Sequence, residues 1–155
     1  MKQFKKIVLT GASGRLGSYL REPLSNKTEK LVSLDINPIG KTLANEQFEL
    51  ANLSNYAEIQ RVLQGANVVV HFAALSNEGP FEKILEANIV GAFNIWKAAQ
   101  EHRIKRIIFA NPRHSECELL LDKSLNKEHI SHGYVIPRKI FDNFMFEQTK
   151  NVSDY

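Results

Sequence analysis

Hydrophobic residues along the chain change their spacing in a regular order, from unbroken runs to helical repeats and back. Residues 6–10 are mostly aliphatic without polar alternation, which is typical of a strand buried on both faces. Leucines at steps of four then predict a helix over residues 15–24. Residues 31–34 predict a second strand, and residues 47–50 predict a short third one.

The same alternation continues through the middle of the chain. Ser54 predicts the N-cap of a second helix, and Gly65 follows its end. Residues 68–72 and 106–110 predict two more strands. Between them, residues 81–101 carry apolar side chains at helical spacing and predict a long helix.

Strands that alternate with helices predict an α/β fold, here a Rossmann-type doubly wound parallel sheet. We expect about five strands in the order 3-2-1-4-5, with ligands at the carboxyl ends of the strands. Residues 111–131 are polar and irregular, and a last helix is predicted to begin near Pro137. Residues 1–155 are therefore interpreted as one domain.

Composition narrows the class of protein. The 155 residues include 20 Lys and Arg, 17 Asp and Glu, and 43% hydrophobic residues, which excludes a disordered tail or a collagen. The single cysteine, Cys117, excludes an intramolecular disulfide and fits a reducing compartment. No apolar run approaches the roughly 20 residues of a membrane span, and residues 7–9 are too few for a signal-peptide core. We expect a soluble, cytoplasmic protein.

Charges and metal-binding residue types add little to this picture. Acidic and basic residues are interspersed, so the net charge of +3 predicts neither a nucleic-acid nor a membrane partner. His129 and His132 are three residues apart and Cys117 lies upstream, but no acid or second cysteine completes a metal site. We expect a small-molecule ligand and no bound metal.

The most informative segment is residues 10–17, Thr-Gly-Ala-Ser-Gly-Arg-Leu-Gly, between the first strand and the first helix. Gly11 permits a tight turn, Gly14 lets the backbone approach a pyrophosphate, and Gly17 lets the helix lie close to the sheet. The free N–H groups at the start of the helix then face the phosphates. This pattern predicts a dinucleotide-binding loop.

Asp35 ends the second strand, 18 residues after Gly17. A carboxylate at that place accepts hydrogen bonds from the two ribose hydroxyls of NAD and repels a 2′-phosphate. No arginine follows directly, so NAD is favoured over NADP, although Lys41 lies close enough in sequence to weaken that preference.

Three features together resemble one enzyme family. The pattern Thr-Gly-x-x-Gly-x-x-Gly at residues 10–17, the acid Asp35 and His-Phe-Ala-Ala at residues 71–74 are similar to the extended short-chain dehydrogenase/reductases. These form the NAD-dependent epimerase/dehydratase family. Within it, residues 71–99 look closest to the bacterial uronate dehydrogenases, and the resemblance covers residues 5–110.

The resemblance implies a set of site residues. Those that would contact NAD are Gly11, Ser13, Gly14, Arg15, Leu16, Gly17, Asp35, Asn52, Leu53, Ala73, Ala74 and Asn88. Asn52 and Leu53 stand where the family has Asp-Leu, whose acidic side chain meets the adenine, and asparagine still accepts and donates hydrogen bonds. Ser76 and His114 would lie near the substrate, while Ser76 also suits an ordinary loop serine.

Asn88 is also singled out by its position among the apolar residues of the long helix. An unpaired amide on that buried stripe would cost about 1–3 kcal/mol, so its side chain must hold a specific partner. That partner is either structural backbone or the active-site water chain that the family uses, and the sequence leaves both open.

The catalytic residues follow the family pattern only in part. Family members have a serine or threonine after the fifth strand and Tyr-x-x-x-Lys in the next helix, where the lysine lowers the pKa of the tyrosine. Here residues 111–114 read Asn-Pro-Arg-His, so the serines are replaced and only His114 matches. Tyr134 is the candidate acid/base, and Arg138 stands in the lysine's place.

The helical step explains why Arg138, rather than the neighbouring Lys139, is the candidate partner of Tyr134. Positions four apart lie about 40° apart around a helix, whereas positions five apart lie about 140° apart. Pro137 suits a first helical turn, which would leave Tyr134 before the helix. Tyr134 therefore also fits a loop or interface tyrosine without a catalytic role.

The end of the chain is a second departure from the family. Family members continue with a substrate-binding lobe, whereas this chain ends at Tyr155, so we expect that lobe to be missing or vestigial. The predicted helix at 137–148 is strongly apolar and needs cover. The resemblance implies that it packs with residues 81–101 in a four-helix bundle, so we expect a homodimer or an aggregation-prone monomer.

Two functions fit these observations. The first is an NAD-dependent oxidoreductase of the epimerase/dehydratase type that acts on a sugar or sugar acid. In the uronate-dehydrogenase form, a cyclic hexuronate would lose a hydride at C1 and become a lactone, with Tyr134 as the base. The alternative is a truncated or catalytically degenerate module that binds NAD without turnover.

Overall fold

A single mixed sheet organises the part of the chain that the computed structural model describes, residues 2–109 and 119–120. Its strands are β1 (Phe4–Thr10), β2 (Thr28–Asp35), β3 (Glu46–Leu50), β4 (Val68–His71), β5 (Arg106–Phe109) and β6 (Leu119–Leu120). The helices are α1 (Arg15–Lys27), α2 (Tyr56–Leu63), α3 (Phe81–Ile84) and α4 (Gly91–Glu101), and a π-helical segment (Leu85–Val90) joins the last two.

The strand order within the described residues is β3-β2-β1-β4-β5-β6, and the first five strands are parallel. The predicted order 3-2-1-4-5 is therefore confirmed. β6 adds an antiparallel edge, with Ile107 paired to Leu119. β6 lies in a stretch that was predicted to be irregular, and it was not predicted because a two-residue strand is too short to show any periodicity.

Apolar side chains alternate between the two faces of the central strands and build a core on each side. In β1, Ile7 and Leu9 pack towards α1, whereas Val8 packs towards α2 and α4. All three are fully buried, which confirms the prediction of a strand covered on both faces. Helices on both faces leave the carboxyl edge of the sheet as the open place for a ligand.

A buried ion pair, rather than a helix, holds the crossover between β2 and β3. Arg21 on α1 donates to Glu46 through Nε at 2.8 Å and through Nη2 at 2.7 Å. The fully buried Glu46 carboxylate also accepts from the Ser33 hydroxyl and from the Leu43 N–H. These contacts tie the irregular residues 36–45 to α1 and to the sheet.

The start of α2 differs from the prediction by one residue. Asn55, not Ser54, is the N-cap, and its side chain accepts from the N–H of Glu58 at 3.4 Å. The Ser54 hydroxyl donates instead to Glu86 on the long helical element, a tertiary contact that competes with local capping. Gly65 follows α2, as predicted, and has a φ of +73°, the left-handed conformation that commonly ends a helix.

The predicted helix over residues 81–101 is present as one continuous element that changes its pitch at Leu85–Val90. A π-helical turn widens the helix locally, and such turns are frequent at functional sites. Beyond it, Gly91 lies so close to the loop after β3 that an added Cβ would stand 2.8 Å from the Cβ of Leu53. Among the described residues, no helix has the length and apolar character to span a bilayer.

Candidate nucleotide-binding site

The loop between β1 and α1 folds tightly because its glycines have no side chains. Gly11 has a φ of +75°, and a Cβ there would lie 2.6 Å from the backbone nitrogen of Ala73. A Cβ on Gly17 would overlap the carbonyl oxygen of Gly11. A glycine is required at position 11 because of the turn and because the loop after β4 approaches it closely. A glycine is required at position 17 because α1 packs directly on this turn.

The N-terminus of α1 opens to the surface beside this loop. Gly14 occupies the N-cap position, where no side chain caps the helix, and the first turn holds no acid. Ser13, Gly14, Arg15 and Leu16 are all exposed. The first backbone N–H groups of a helix have no partner within it, and they lie at the positive end of the helix dipole. This arrangement suits a phosphate group.

Asp35 lies directly against the same loop. Its Oδ2 accepts from the backbone N–H of Ser13 at 3.0 Å, and its Oδ1 accepts from that of Asn37 at 2.9 Å. The residue is only 8% exposed. A carboxylate offers about four lone-pair positions, so two remain for other donors, such as hydroxyl groups. The structure thus brings the predicted phosphate-binding and ribose-binding residues together at the carboxyl ends of β1 and β2.

A hydrogen-bonded pair joins the carboxyl ends of β1 and β4. Thr10 Oγ1 lies 2.7 Å from Nδ1 of His71 and accepts from the Ala73 N–H at 3.3 Å. Burial lowers the pKa of His71 to about 4, so the ring is neutral at pH 7 and its Nδ1 can accept the threonine proton. In the sequence, His71 stood out only as part of a motif, and this contact was not predicted. Thr10 and His71 are paired in register on the neighbouring strands β1 and β4, which places their side chains next to each other.

Asn88 has a backbone partner on the exit loop of β4. Its Oδ1 accepts from the Leu75 N–H at 2.7 Å, and its Nδ2 donates to the Leu75 carbonyl at 2.9 Å. Of the two partners that the sequence left open, the structure shows the backbone. Asn88 is half-buried rather than buried, and it belongs to the π-helical segment. Asn88 thus holds the backbone of Leu75, which lies between the exposed residues Ala74 and Ser76.

The loop after β3 is held by two side chains of the long helical element, Glu86 and Asn94. Asn94, buried on α4, donates through Nδ2 to the carbonyls of Leu53 at 2.8 Å and Ser54 at 3.1 Å. Glu86 Oε1 accepts from Asn52 Nδ2 at 3.1 Å and from Ser54 Oγ at 2.7 Å. Leu53 is buried, whereas Asn52 is exposed. Glu86 and Asn94 were missed because no local pattern connects them to residues more than 30 positions away.

One exposed aliphatic residue next to Asp35 was also missed. Ile36 follows the carboxylate directly and is 60% exposed. An apolar side chain at the carboxyl end of a strand offers a flat surface to an aromatic base, and its place directly after the predicted acid was the available signal.

Several predicted residues lie outside the described residues. They are the catalytic candidates Tyr134 and Arg138, the substrate candidate His114, and Cys117, His129 and His132. Within residues 2–109 and 119–120, no three His, Cys, Asp or Glu side chains are grouped to hold a metal ion.

Known proteins with similar sequences point to one family. The family described as NAD dependent epimerase/dehydratase matches residues 7–114. Uronate dehydrogenase of Pseudomonas putida is 38% identical over 113 residues, which cover 72% of this chain and 42% of that protein. The uronate dehydrogenase of Agrobacterium fabrum is 35% identical over 111 residues, with the same coverage of both chains.

Solved structures agree with these sequence relatives. The crystal structure of uronate dehydrogenase from Agrobacterium tumefaciens superposes with a TM-score of 0.65 at 35% identity and covers 69% of this chain and 40% of that one. A mutant of the same enzyme complexed with NAD matches equally well. The chain thus spans about two fifths of the length of these relatives. Because the family match extends over most of the sequence and includes the glycine loop, Asp35 and the long helix, this chain belongs to the NAD dependent epimerase/dehydratase family.

Proposed function

We propose that this chain binds NAD and forms the cofactor-binding part of an oxidoreductase that acts on a sugar or sugar acid. The observation that carries the proposal is the uncapped N-terminus of α1 beside the Asp35 carboxylate. The helix N-terminus attracts phosphates, and the carboxylate accepts hydrogen bonds from ribose hydroxyls. Both lie at the same edge of the sheet.

The site fits an extended dinucleotide. The diphosphate would lie at the exposed part of this loop, where Gly14 occupies the N-cap of α1 and has no side chain. Asp35 would hold the adenosine ribose, and the base would extend towards Ile36, Asn52 and Leu53 beyond β2 and β3. Ala73, Ala74 and Asn88 would border the other half of the dinucleotide. Bound NAD supplies the hydride acceptor, which no side chain can replace.

The charge at Asp35 favours NAD over NADP. A 2′-phosphate would meet a carboxylate that is already fixed by two backbone N–H groups and cannot turn away. Lys41 is the first basic residue after Asp35 in sequence, and its carbonyl accepts from Arg21 Nη2 at 2.8 Å. This bond holds the backbone at Lys41 against α1.

The relatives support the proposed substrate class. Uronate dehydrogenases match this chain in sequence and in fold, so a hexuronate is the first substrate to test. Oxidation at C1 of the cyclic form removes a hydride from carbon and a proton from the hydroxyl. We assign the proton acceptor to Tyr134, the neighbouring positive charge to Arg138, and substrate contacts to Ser76 and His114, as the family resemblance implies.

A second candidate function is an NAD-binding module without turnover. Two observations favour it: Arg138 stands where the family has lysine, and Asn111 and Pro112 replace the serines after β5. A guanidinium is a rigid, permanently charged fork and does not reproduce a compact ammonium group. Both functions need the same glycine loop, so the loop cannot separate them.

Calorimetric titration with NAD, followed by NADH absorbance with a panel of uronic acids and sugar nucleotides, separates the candidates. Binding with turnover that disappears in Tyr134→Phe supports the oxidoreductase. Tyr19→Phe, which alters an exposed tyrosine on α1, is the matched control and should retain turnover. Binding without turnover supports the module. Absence of NAD binding at saturating concentration would refute both.

We further propose that the chain acts as a homodimer in the cytoplasm. The long helical element exposes Phe81, Ile89, Val90 and Phe93, an apolar surface that a second copy would cover. The predicted partner helix at 137–148 lies outside the described residues. A single cysteine suits a reducing compartment.

A further inference from the structure

We propose that the edge of the sheet where the parallel strands begin is a second binding surface, and that it takes the phosphate backbone of a nucleic acid. This edge is opposite the carboxyl ends of the strands, where the proposed NAD site lies, so the inference goes beyond the proposed function and does not depend on it. Its basis is a group of six exposed cations, the basic edge, around the starts of β1, β2 and β5: Lys2, Lys5, Lys27, Lys30, Arg103 and Lys105.

The parallel sheet brings together cations that are distant in sequence. β2, β1, β4 and β5 are neighbours and run parallel, so their first residues all lie at the same edge. Adjacent strands are about 4.8 Å apart, so the row from β2 to β5 is about 14 Å long. Along the sequence these cations are interspersed with acids, which is why the net charge predicted no nucleic-acid partner. Their common position becomes visible only when the strands are paired.

Few acids balance the basic edge. Within residues 2–109 and 119–120, none of its six cations forms an ion pair. Two exposed acids lie near it, Glu29 on β2 and Glu101 at the end of α4, and Glu101 also accepts from the side chain of Gln60. Six cations against two acids leave about four positive charges that attract an anionic partner.

Stabilisation of the fold accounts for only some of the cations in this region. Lys6 has a structural role, since its Nζ donates to the Val62 carbonyl at 2.7 Å and to the Gln64 carbonyl at 2.8 Å, and it is not part of the basic edge. Lys27 and Arg103 lie at the C-terminal ends of α1 and α4, where a cation stabilises the helix dipole. The remaining four cations have neither role among the described contacts: Lys2, Lys5, Lys30 and Lys105.

The character of the basic edge favours a nucleic acid over a protein or a membrane. None of the large apolar side chains that the described residues expose comes from residues 2–5, 27–30 or 103–106. A protein interface has an apolar centre, and a membrane-binding surface gains affinity from inserted apolar side chains. Without exposed aromatic rings the surface cannot stack on bases, so it would contact phosphates independently of sequence.

Fluorescence anisotropy on the full 155-residue chain tests the proposal with two labelled probes, a DNA duplex of about 20 base pairs and a single-stranded RNA of about 20 nucleotides. With about four phosphate contacts, the logarithm of the association constant should fall against the logarithm of the salt concentration with a slope of about −3.6 for the duplex and about −2.8 for the single strand. The duplex should thus lose about a hundredfold in affinity between about 50 and 200 mM salt.

A pair of matched double variants locates the surface. Lys5→Glu/Lys30→Glu should weaken duplex binding at least about tenfold at 50 mM salt and make the slope shallower by about 1.8, because two phosphate contacts are lost. Lys41→Glu/Lys83→Glu changes the net charge equally at exposed lysines outside the basic edge and should keep the affinity within about threefold. Thermal unfolding of both variants reports whether the fold is retained.

Competing polyanions identify the class of partner. Extended polyglutamate carries one charge per about 3.4 Å, whereas a duplex carries one per about 1.7 Å, so polyglutamate should compete poorly at equal charge concentration. Phosphatidylcholine vesicles with about 30% phosphatidylserine should also bind more weakly than the duplex at the same salt concentration. Tighter binding to polyglutamate or to these vesicles than to both nucleic acids would overturn the assignment of the partner.

Two other results would overturn the inference itself. One is the absence of binding to either nucleic acid at 50 mM salt, and the other is an equal loss of affinity in the two double variants. Salt-dependent binding that Lys5→Glu/Lys30→Glu weakens and Lys41→Glu/Lys83→Glu retains establishes the basic edge as the binding surface. Calorimetry with NAD tests the proposed function separately, because the two surfaces lie at opposite edges of the sheet.

Discussion

The carboxylate of Asp35 accepts a hydrogen bond from the backbone N–H of Ser13 at 3.0 Å, across 22 positions of sequence. This contact joins the glycine loop after β1 to the end of β2. Removal of the carboxylate would therefore affect both the loop and the proposed ribose contact. We expect Asp35→Asn to weaken NAD binding about tenfold to a hundredfold, because hydrogen bonds to a charged group contribute about 1.5–3 kcal/mol.

The same variant should narrow the preference for NAD over NADP, since the charge that repels a 2′-phosphate is absent. The measurement is the ratio of the two Kd values by titration. Glu29→Gln, which neutralises an exposed acid near the other end of β2, is the control and should leave both affinities unchanged. If the ratio of the Kd for NADP to the Kd for NAD is unchanged in Asp35→Asn, the assignment of Asp35 to the ribose is contradicted.

Gly17→Ala should unfold or displace the first turn of α1. The added Cβ would overlap the backbone carbonyl of Gly11 and lie 2.9 Å from the Cα of Ala12, and backbone atoms cannot move aside as a flexible side chain can. We expect a loss of several kcal/mol in the free energy of unfolding, as for overpacked buried sites, together with loss of NAD binding. Gly79→Ala, where an added Cβ meets nothing within 4 Å, should leave the unfolding midpoint nearly unchanged.

His71 should make the protein less stable in mild acid. Burial lowers its pKa from the ordinary 6.5 to about 4, so the folded chain keeps the ring neutral where the unfolded chain takes up a proton. The contribution to stability is complete above pH 6.5 and decreases as the pH falls from about 6.5 to 4. Its full size is at most about 3–4 kcal/mol, since each pKa unit corresponds to about 1.4 kcal/mol.

Chemical denaturation at a series of pH values tests this dependence. His71→Gln should flatten the decrease between pH 6.5 and 4, whereas His102→Gln, which replaces a histidine bonded to the Gln60 carbonyl, should retain it. A wild-type stability that is constant over that interval would show that His71 is not held neutral.

The Arg21–Glu46 pair should contribute more to stability than the Arg61–Glu49 pair. Burial raises the pKa of Glu46, but hydrogen bonds from Arg21, Ser33 and the Leu43 N–H outweigh it and lower the pKa overall. Glu46→Ala leaves Arg21 without its buried partner and should cost about 3–5 kcal/mol. Glu49→Ala removes a pair whose arginine is 61% exposed and should cost about 1 kcal/mol or less.

These two variants are compared by urea denaturation at pH 7. Because the pKa of Glu46 is lowered in the folded state, its contribution is complete above its ordinary value of 4.5 and is lost as the pH falls below it. Equal losses in the two variants would mean that burial does not strengthen the Arg21–Glu46 pair.

Phe93→Asp should convert the proposed dimer into a monomer. Phe93 is 63% exposed on α4, and a charge there cannot be buried against a second copy without a large cost. Sedimentation velocity at several concentrations measures the change. Tyr19→Asp, a matched substitution of an exposed aromatic residue on α1, should leave the dimer intact. A wild-type chain that sediments as a clean monomer would contradict the dimer.

Much of the fold could be predicted from local pattern. Aliphatic runs such as Ile7–Leu9 identify strands covered on both faces, because only burial on both sides removes the polar alternation. The glycine spacing at residues 11, 14 and 17 identifies the loop, since the turn at Gly11 has a positive φ and the packing of α1 on that turn leaves no room for a side chain at Gly17. The predicted strand order followed from connection rules that hold across this class of sheet.

By itself, then, the sequence determined the order of the first five strands, the glycine turn and the place of Asp35, because these depend on neighbours in the chain and on general topology. Only the tertiary structure decided the partners of Asn88, Glu86 and His71, and it moved the N-cap of α2 from Ser54 to Asn55. A polar side chain takes whichever partner the packed elements bring within about 3 Å, and residues distant in sequence become such partners only after the sheet and helices assemble.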